Sequence, residues 1–142
     1  MFDPEQLGVL LAETSRAWRG CLDQRLKPLG LSQAKWQVLI HVSRGGDKMI
    51  QKELAERMGI EGPTLVGLLD RMTRDGWLQR HESSEDRRSK TVHLTEKSTE
   101  ILRQIKSVAA HLRRELLTGM SLEELRQCAQ VLERIKERAE IL

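Results

Sequence analysis

Apolar residues recur at spacings of three and four over most of the chain, and the breaks in that rhythm divide it into elements. Leu7, Leu11, Thr14, Trp18, Cys21 and Arg25 form one stripe, widened by Leu10, Leu22 and Leu26. The spacing predicts a helix over 3–28 that Asp3 caps, with Gln6 completing a capping box and Pro4 at the first helical position. Pro28 and Gly30 end it. Ser32 caps a second helix to about Ser43, with Trp36, Leu39 and Ile40 inward and Gly45-Gly46 as its stop. Met49-Ile50 reads as a short pairing strand. A short helix over 51–58 follows, then Gly59, then a helix from Pro63 to Arg74 closed by Asp75-Gly76.

The rhythm changes after Trp77. Two alternating runs, 77–82 and 90–94, flank a polar tip, 83–89, and predict a β-hairpin. Thr95 then caps a long helix with Ile101, Ile105, Val108, Leu112 and Leu116 on one stripe, ended by Gly119. Ser121-Leu122-Glu123-Glu124 is a capping box opening a last helix, whose Leu122, Leu125, Ala129, Leu132, Ile135, Ala139 and Leu142 are expected inward. The chain therefore divides into an N-terminal dimerisation helix (1–31), a module of short helices and a hairpin (32–94) and C-terminal dimerisation helices (95–142). The long outer helices carry more apolar surface than so small a module can cover, which predicts an intertwined homodimer.

Composition narrows the class. The 142 residues are 39% hydrophobic and 32% charged, the profile of a folded domain with long exposed helical faces. No apolar run approaches the roughly 18 residues of a membrane span. The N-terminus has no basic region leading into an apolar stretch, so no signal peptide is expected, and two cysteines make no disulfide framework. The expected compartment is the cytoplasm, with no membrane partner. Net charge is +3, which permits a nucleic-acid partner without demanding one. Residues 51–94 hold eight basic and eight acidic residues, so bulk attraction to phosphate does not single out this module.

Spacing is more informative. Ala55, small and inward, is followed by Gly59 in the turn and by Leu65 and Leu68 facing back. That series suits a helix-turn-helix whose second helix crosses the first steeply. The outward face of the second helix would carry Glu61, Gly62, Pro63, Thr64, Gly67, Arg71 and Arg74, where small and hydroxyl residues permit close approach to bases and phosphates. A hairpin directly after a helix-turn-helix makes a winged helix, so the fold class is mainly α with a winged helix-turn-helix. Arg87 and Arg88 at the tip are placed for a minor groove, with Arg80 and Lys90 on the flanking strands. Asp86 is expected to orient one guanidinium. Lys52, the helix N-termini and the flanking arginines are the expected phosphate contacts.

Asp86-Arg87-Arg88 followed by Val92-His93-Leu94-Thr95-Glu96-Lys97 resembles the wing signature of MarR-type regulators. Arg16-x-Trp18-Arg19, Asp23-x-Arg25-Leu26-Lys27-Pro28-Leu29, Gly59-Ile60-Glu61-x-Pro63 and Leu69-Asp70 are similar to the SlyA branch of that family. The likeness covers nearly the whole chain. It implies a homodimeric transcriptional regulator on a pseudo-palindromic operator, with one recognition helix in each major-groove half-site and a wing in the adjacent minor groove. On the same resemblance Arg87 is the minor-groove arginine, Arg88 the partner of Asp86, and Pro63, Thr64 and position 67 are recognition-helix contacts. The chain departs from the branch at Gly67, where a basic residue is common. The resemblance further implies a small aromatic carboxylate effector, for which Arg16, Trp18 and Trp36 are the candidates.

Other readings have less support. Trp18, Trp36 and Trp77 suit core packing, and Arg16 suits an intersubunit ion pair as well as a ligand carboxylate. Cys21 and Cys128 lie on apolar stripes, where buried thiols are inert, although a redox switch at Cys21 is one alternative function. His41, His81, His93 and His111 are scattered, with no zinc spacing, so no metal or other cofactor is expected. Glycine-rich phosphate loops, G-x-S-x-G and HExxH are absent, so no catalytic residues are assigned and an enzyme is not expected. A winged helix used for protein contact is the remaining alternative.

Overall fold

The computed structural model describes residues 1–46, 49–83, 85 and 88–142. The order is α1 (Leu7–Leu26), α2 (Gln33–Gly45), α3 (Gln51–Met58), α4 (Gly62–Arg74), β1 (Leu78–Glu82), β2 (Lys90–Leu94), α5 (Lys97–Leu116) and α6 (Leu122–Ile141). This is the mainly helical winged helix-turn-helix that the sequence predicts. The chain forms two compact units, Met1–Ala110 and His111–Leu142.

In the first unit the core is built where the short elements meet. Leu26, Leu39, Leu54, Leu65, Leu69, Met72, Leu78, Val92 and Ile105 are fully buried. β1 and β2 pair antiparallel from Leu78↔Leu94 to Glu82↔Lys90. The Met49-Ile50 segment adds a third rung, since Val92 donates its N–H to the Met49 carbonyl at 2.8 Å and Ile50 bridges Thr91. Gly59 closes α3 at φ 68°, a left-handed conformation cheap only for glycine, and Ile60 then donates back to the Ala55 carbonyl at 3.1 Å. That turn sets the crossing of α3 and α4, with Ala55 buried at the crossing as its size requires.

A second set of bonds ties the end of α4 to the start of α5. Lys97 donates from Nζ to the Asp75 carbonyl at 2.6 Å and lies 4.4 Å from the centre of the half-buried Trp77 ring. Ser98, fully buried, donates to the Trp77 carbonyl at 2.5 Å, and the Thr95 hydroxyl lies 2.6 Å from the Gly76 carbonyl. Thr95 therefore spends its hydroxyl on the preceding turn, where the pattern predicts a helix cap.

Three further expectations need correction. Asp3 does cap, accepting from the Glu5 N–H at 3.0 Å, but it caps a 3-10 turn over Pro4–Gln6, and Gln6 makes no capping bond for α1. In α1 the buried residues are Leu22 and Leu26, while Cys21 is exposed. The indole N–H of Trp36 donates to the Asp23 carboxylate at 3.1 Å, joining α2 to α1 beside Leu22 and Leu26, the residues that widen the predicted stripe. In α6 no residue is buried, and Cys128 is exposed. Its stripe is apolar as predicted, with Leu122, Leu132 and Ile135 exposed. The capping box at its start is present, with Glu124 donating its N–H to Ser121 Oγ and Ser121 returning its own to Glu124, both at 3.0 Å. These bonds from Ser121 hold the Glu124 carboxyl below its usual range. Among the described residues, no helix is long and apolar enough to cross a membrane.

Candidate nucleic-acid interface

α4 is amphipathic in the sense a reading helix requires. Leu65, Leu68, Leu69 and Met72 are buried, and the opposite side is open. Gly62, Pro63, Thr64, Arg71 and Arg74 are exposed and Gly67 is half-buried, so the structure places the predicted residues on one accessible side. Glu61 precedes the helix without a side-chain capping bond, and Pro63 has no N–H to satisfy. The first-turn N–H groups of Gly62 and Thr64 therefore lack partners within the helix, the arrangement that attracts a phosphate.

The open side has two flanks. Thr64 and Arg71 line a cavity of about 290 Å³ together with Arg19, Gln37, Ile60 and Leu68, so this flank faces α1 and α2. Pro63, Val66 and Asp70, at spacings of three and four, make the other. There the Asp70 carboxylate is 2.6 Å from Arg80 of β1. Arg80, expected as a flanking cation for phosphate, is thus engaged with the helix. Val66 is 40% exposed, although the predicted outward face does not include it. Its spacing of three from Pro63 was the available signal.

The wing is described in part. Asp86 and Arg87 lie outside the described residues, and Arg88 is exposed. Lys90 is exposed and stands 3.8 Å from Glu82; with Arg80 and Gln51 it lines a concavity where α3 begins. Lys52 is exposed on the first turn of α3. The hairpin also joins two of the histidines that look scattered in sequence. His81 and His93 have ring centres 4.7 Å apart, and Thr91 Oγ1 lies 2.8 Å from His93 Nε2. Among the described residues, no group of three or more side chains suited to a metal ion occurs. His41, on α2, has its imidazole pKa lowered by burial, then by Arg44 and Arg57.

The effector candidates are brought together only in part. Trp18 and Trp36 share a cavity of about 310 Å³ with Thr14, Ser15, Arg19 and Leu22. Trp36 is buried, as expected for core, and Trp18 is half-buried. Arg16 is exposed and is not part of the cavity wall. Its place is taken by Arg19, whose guanidinium donates to Ser15 Oγ at 3.0 Å and which also borders the cavity beside α4. One helical turn separates Arg19 from Ser15, a spacing visible in the sequence.

A sequence model of the MarR family matches residues 29–89. Among solved structures, the transcriptional regulator PA3341 is 47% identical, with a TM-score of 0.88 over 95% of this chain and 98% of that one. Wild-type apo MarR from E. coli is 24% identical, with a TM-score of 0.75 over 95% and 98% of the two chains. CouR from Rhodococcus jostii RHA1, solved with p-coumaroyl-CoA bound, is 22% identical, with a TM-score of 0.76 over 91% and 90%. The last two likenesses carry the fold alone.

Proposed function

Because this chain belongs to the MarR family, we propose that it regulates transcription as a cytoplasmic homodimer on a pseudo-palindromic operator. The observation that carries this reading is α4, a helix with four buried apolar residues on one side and small, hydroxyl and basic residues on the other. Gly62, Pro63, Thr64, Gly67, Arg71 and Arg74 would meet the major groove, with Lys52, Lys90 and Arg88 near phosphate and Arg87 in the minor groove beside Asp86. Within the family, the Arg16-x-Trp18-Arg19 and Gly59-Ile60-Glu61-x-Pro63 stretches support the SlyA branch. Neither the redox reading through Cys21 nor the protein-contact reading has an observation of its own in the site.

The test is binding to promoter-containing duplex DNA across a salt series, with Arg87→Ala alongside. Wild type is expected to bind selectively, losing affinity with salt at a log–log slope of about 0.9 per phosphate neutralised. Arg87→Ala is expected to bind roughly tenfold more weakly and with a shallower slope. Absence of salt-sensitive binding in both proteins, with the dimer intact, overturns the reading.

The cavity of Trp18, Trp36 and Arg19 supports a small aromatic carboxylate as effector, with the rings for stacking and the guanidinium for the anion. The p-coumaroyl-CoA held by CouR has this aromatic character. Half-sites one helical turn apart, roughly 34–36 Å, tolerate little change in the spacing of two recognition helices, so a modest rotation would release DNA. Titration of the DNA complex with salicylate is expected to weaken binding. Unchanged affinity at saturating aromatic acid removes this part of the proposal and leaves the regulator intact.

A further inference from the structure

We infer that Val66 reads the C5-methyl group of a thymine in each half-site, and that Gly67 is the gap that lets it reach. The inference rests on the regulator reading and names part of its base selectivity. Every other large apolar residue of α4, Leu65, Leu68, Leu69 and Met72, is at most 6% exposed, whereas Val66 is 40% exposed on the accessible side. Valine is also a weaker helix former than the straight-chain residues, since its branched Cβ crowds the preceding turn. Its neighbour is weaker still. Gly67 is not among the glycines with positive φ, and among the described residues a Cβ built there would meet only Arg71 Nη1, at an ordinary 3.7 Å. Neither backbone conformation nor packing requires glycine at 67. Gly67 thus costs helix stability with no packing return among the described residues, and Val66 beside it keeps 40% of its surface open.

The return comes from what the helix lies against. A helix without a side chain at 67 brings its backbone closer to the floor of the major groove, within reach of a short side chain beside it. Valine forms no hydrogen bonds, and the apolar feature that base pairs present in the major groove is the thymine methyl. The surroundings agree in charge. Asp70, one turn beyond Val66 on the same flank, has its carboxylate 2.6 Å from Arg80, so Val66 does not sit beside an unpaired anion. Pro63, one turn before it, extends the apolar strip.

The experiment begins with selection of bound sequences by the wild-type protein from a random duplex library. Each thymine of a selected half-site is then replaced in turn by deoxyuridine, which removes the methyl group and nothing else. Affinities are measured for wild type and for Val66→Ala, a substitution at an exposed position that favours the helix and leaves the fold in place by circular dichroism. One position per half-site is expected to weaken wild type about three- to fivefold and to leave Val66→Ala unchanged. If every deoxyuridine affects the two proteins equally, the inference is overturned while the regulator stands. If wild type selects no sequence, the regulator reading falls and takes the inference with it.

Discussion

A chain carrying Leu132→Asp together with Ile135→Asp is expected to sediment as a monomer and to lose 10²- to 10⁴-fold, an order-of-magnitude range, in affinity for a duplex bearing two half-sites. Binding to a single isolated half-site should be unchanged. The argument starts from α6, in which no residue is buried, although Val131, Leu132 and Ile135 are 47%, 41% and 38% exposed and lie on one apolar stripe. Val9 and Leu10 of α1 are likewise 58% and 54% exposed. Faces of this kind are usually covered in a stable protein, and on the homodimer proposal a second copy would cover them by symmetry. Two carboxylates on the stripe would be desolvated without partners in that interface, which outweighs the apolar burial they interrupt. Once the protomers part, the second half-site no longer binds at the high effective concentration that tethering confers. A double variant that remains dimeric in sedimentation would show that α6 is not the seam.

The second large effect is a change of sequence preference. Gly67→Arg is expected to add selectivity for guanine at one position per half-site, by about 1–3 kcal/mol or roughly five- to 150-fold over the other bases, as a guanidinium bonds the O6 and N7 edge of guanine in bidentate fashion. The helix has room for the side chain, since among the described residues a Cβ at 67 would meet only the far end of Arg71, at 3.7 Å. Arginine is also the better helix former, so the variant should melt no lower than wild type. Selection from a random duplex library reads the outcome directly. An unaltered preference would place position 67 away from base edges, whatever the affinity does.

Much of the fold was legible because local rules and packing agree along residues 32–94. Ser32 and Gly59 bound their helices where the spacing put them, and the hairpin pairs over the two alternating runs. The misreadings come from places where more than one partner competes for a residue. Periodicity locates an apolar stripe but not which chain buries it, which is why the α6 stripe lies open and Cys21 faces away from α2. Thr95 fits a helix cap by type, and only the three-dimensional neighbourhood reveals the carbonyls of residues 76 and 77 that take its hydroxyl. In the site, α4 was readable because its faces follow from 3.6 residues per turn. The Arg80–Asp70 pair and the replacement of Arg16 by Arg19 in the cavity wall depend on tertiary placement, which no spacing within one element encodes.

The bonds that Thr95, Lys97 and Ser98 make to the carbonyls of residues 75–77 give the protein a gearing. They tie the end of α4 directly to the first turn of α5. The 14 residues of α5 in the first unit, 97–110, span roughly 21 Å, so a tilt of about 5° carries Ala110 about 1.8 Å. Run in reverse, a displacement of about 2 Å at that point would reach α4 as a change of pitch, with the short clamp as fulcrum. Such a linkage converts distance into angle, and angle is the quantity to which a helix seated in a groove is most sensitive.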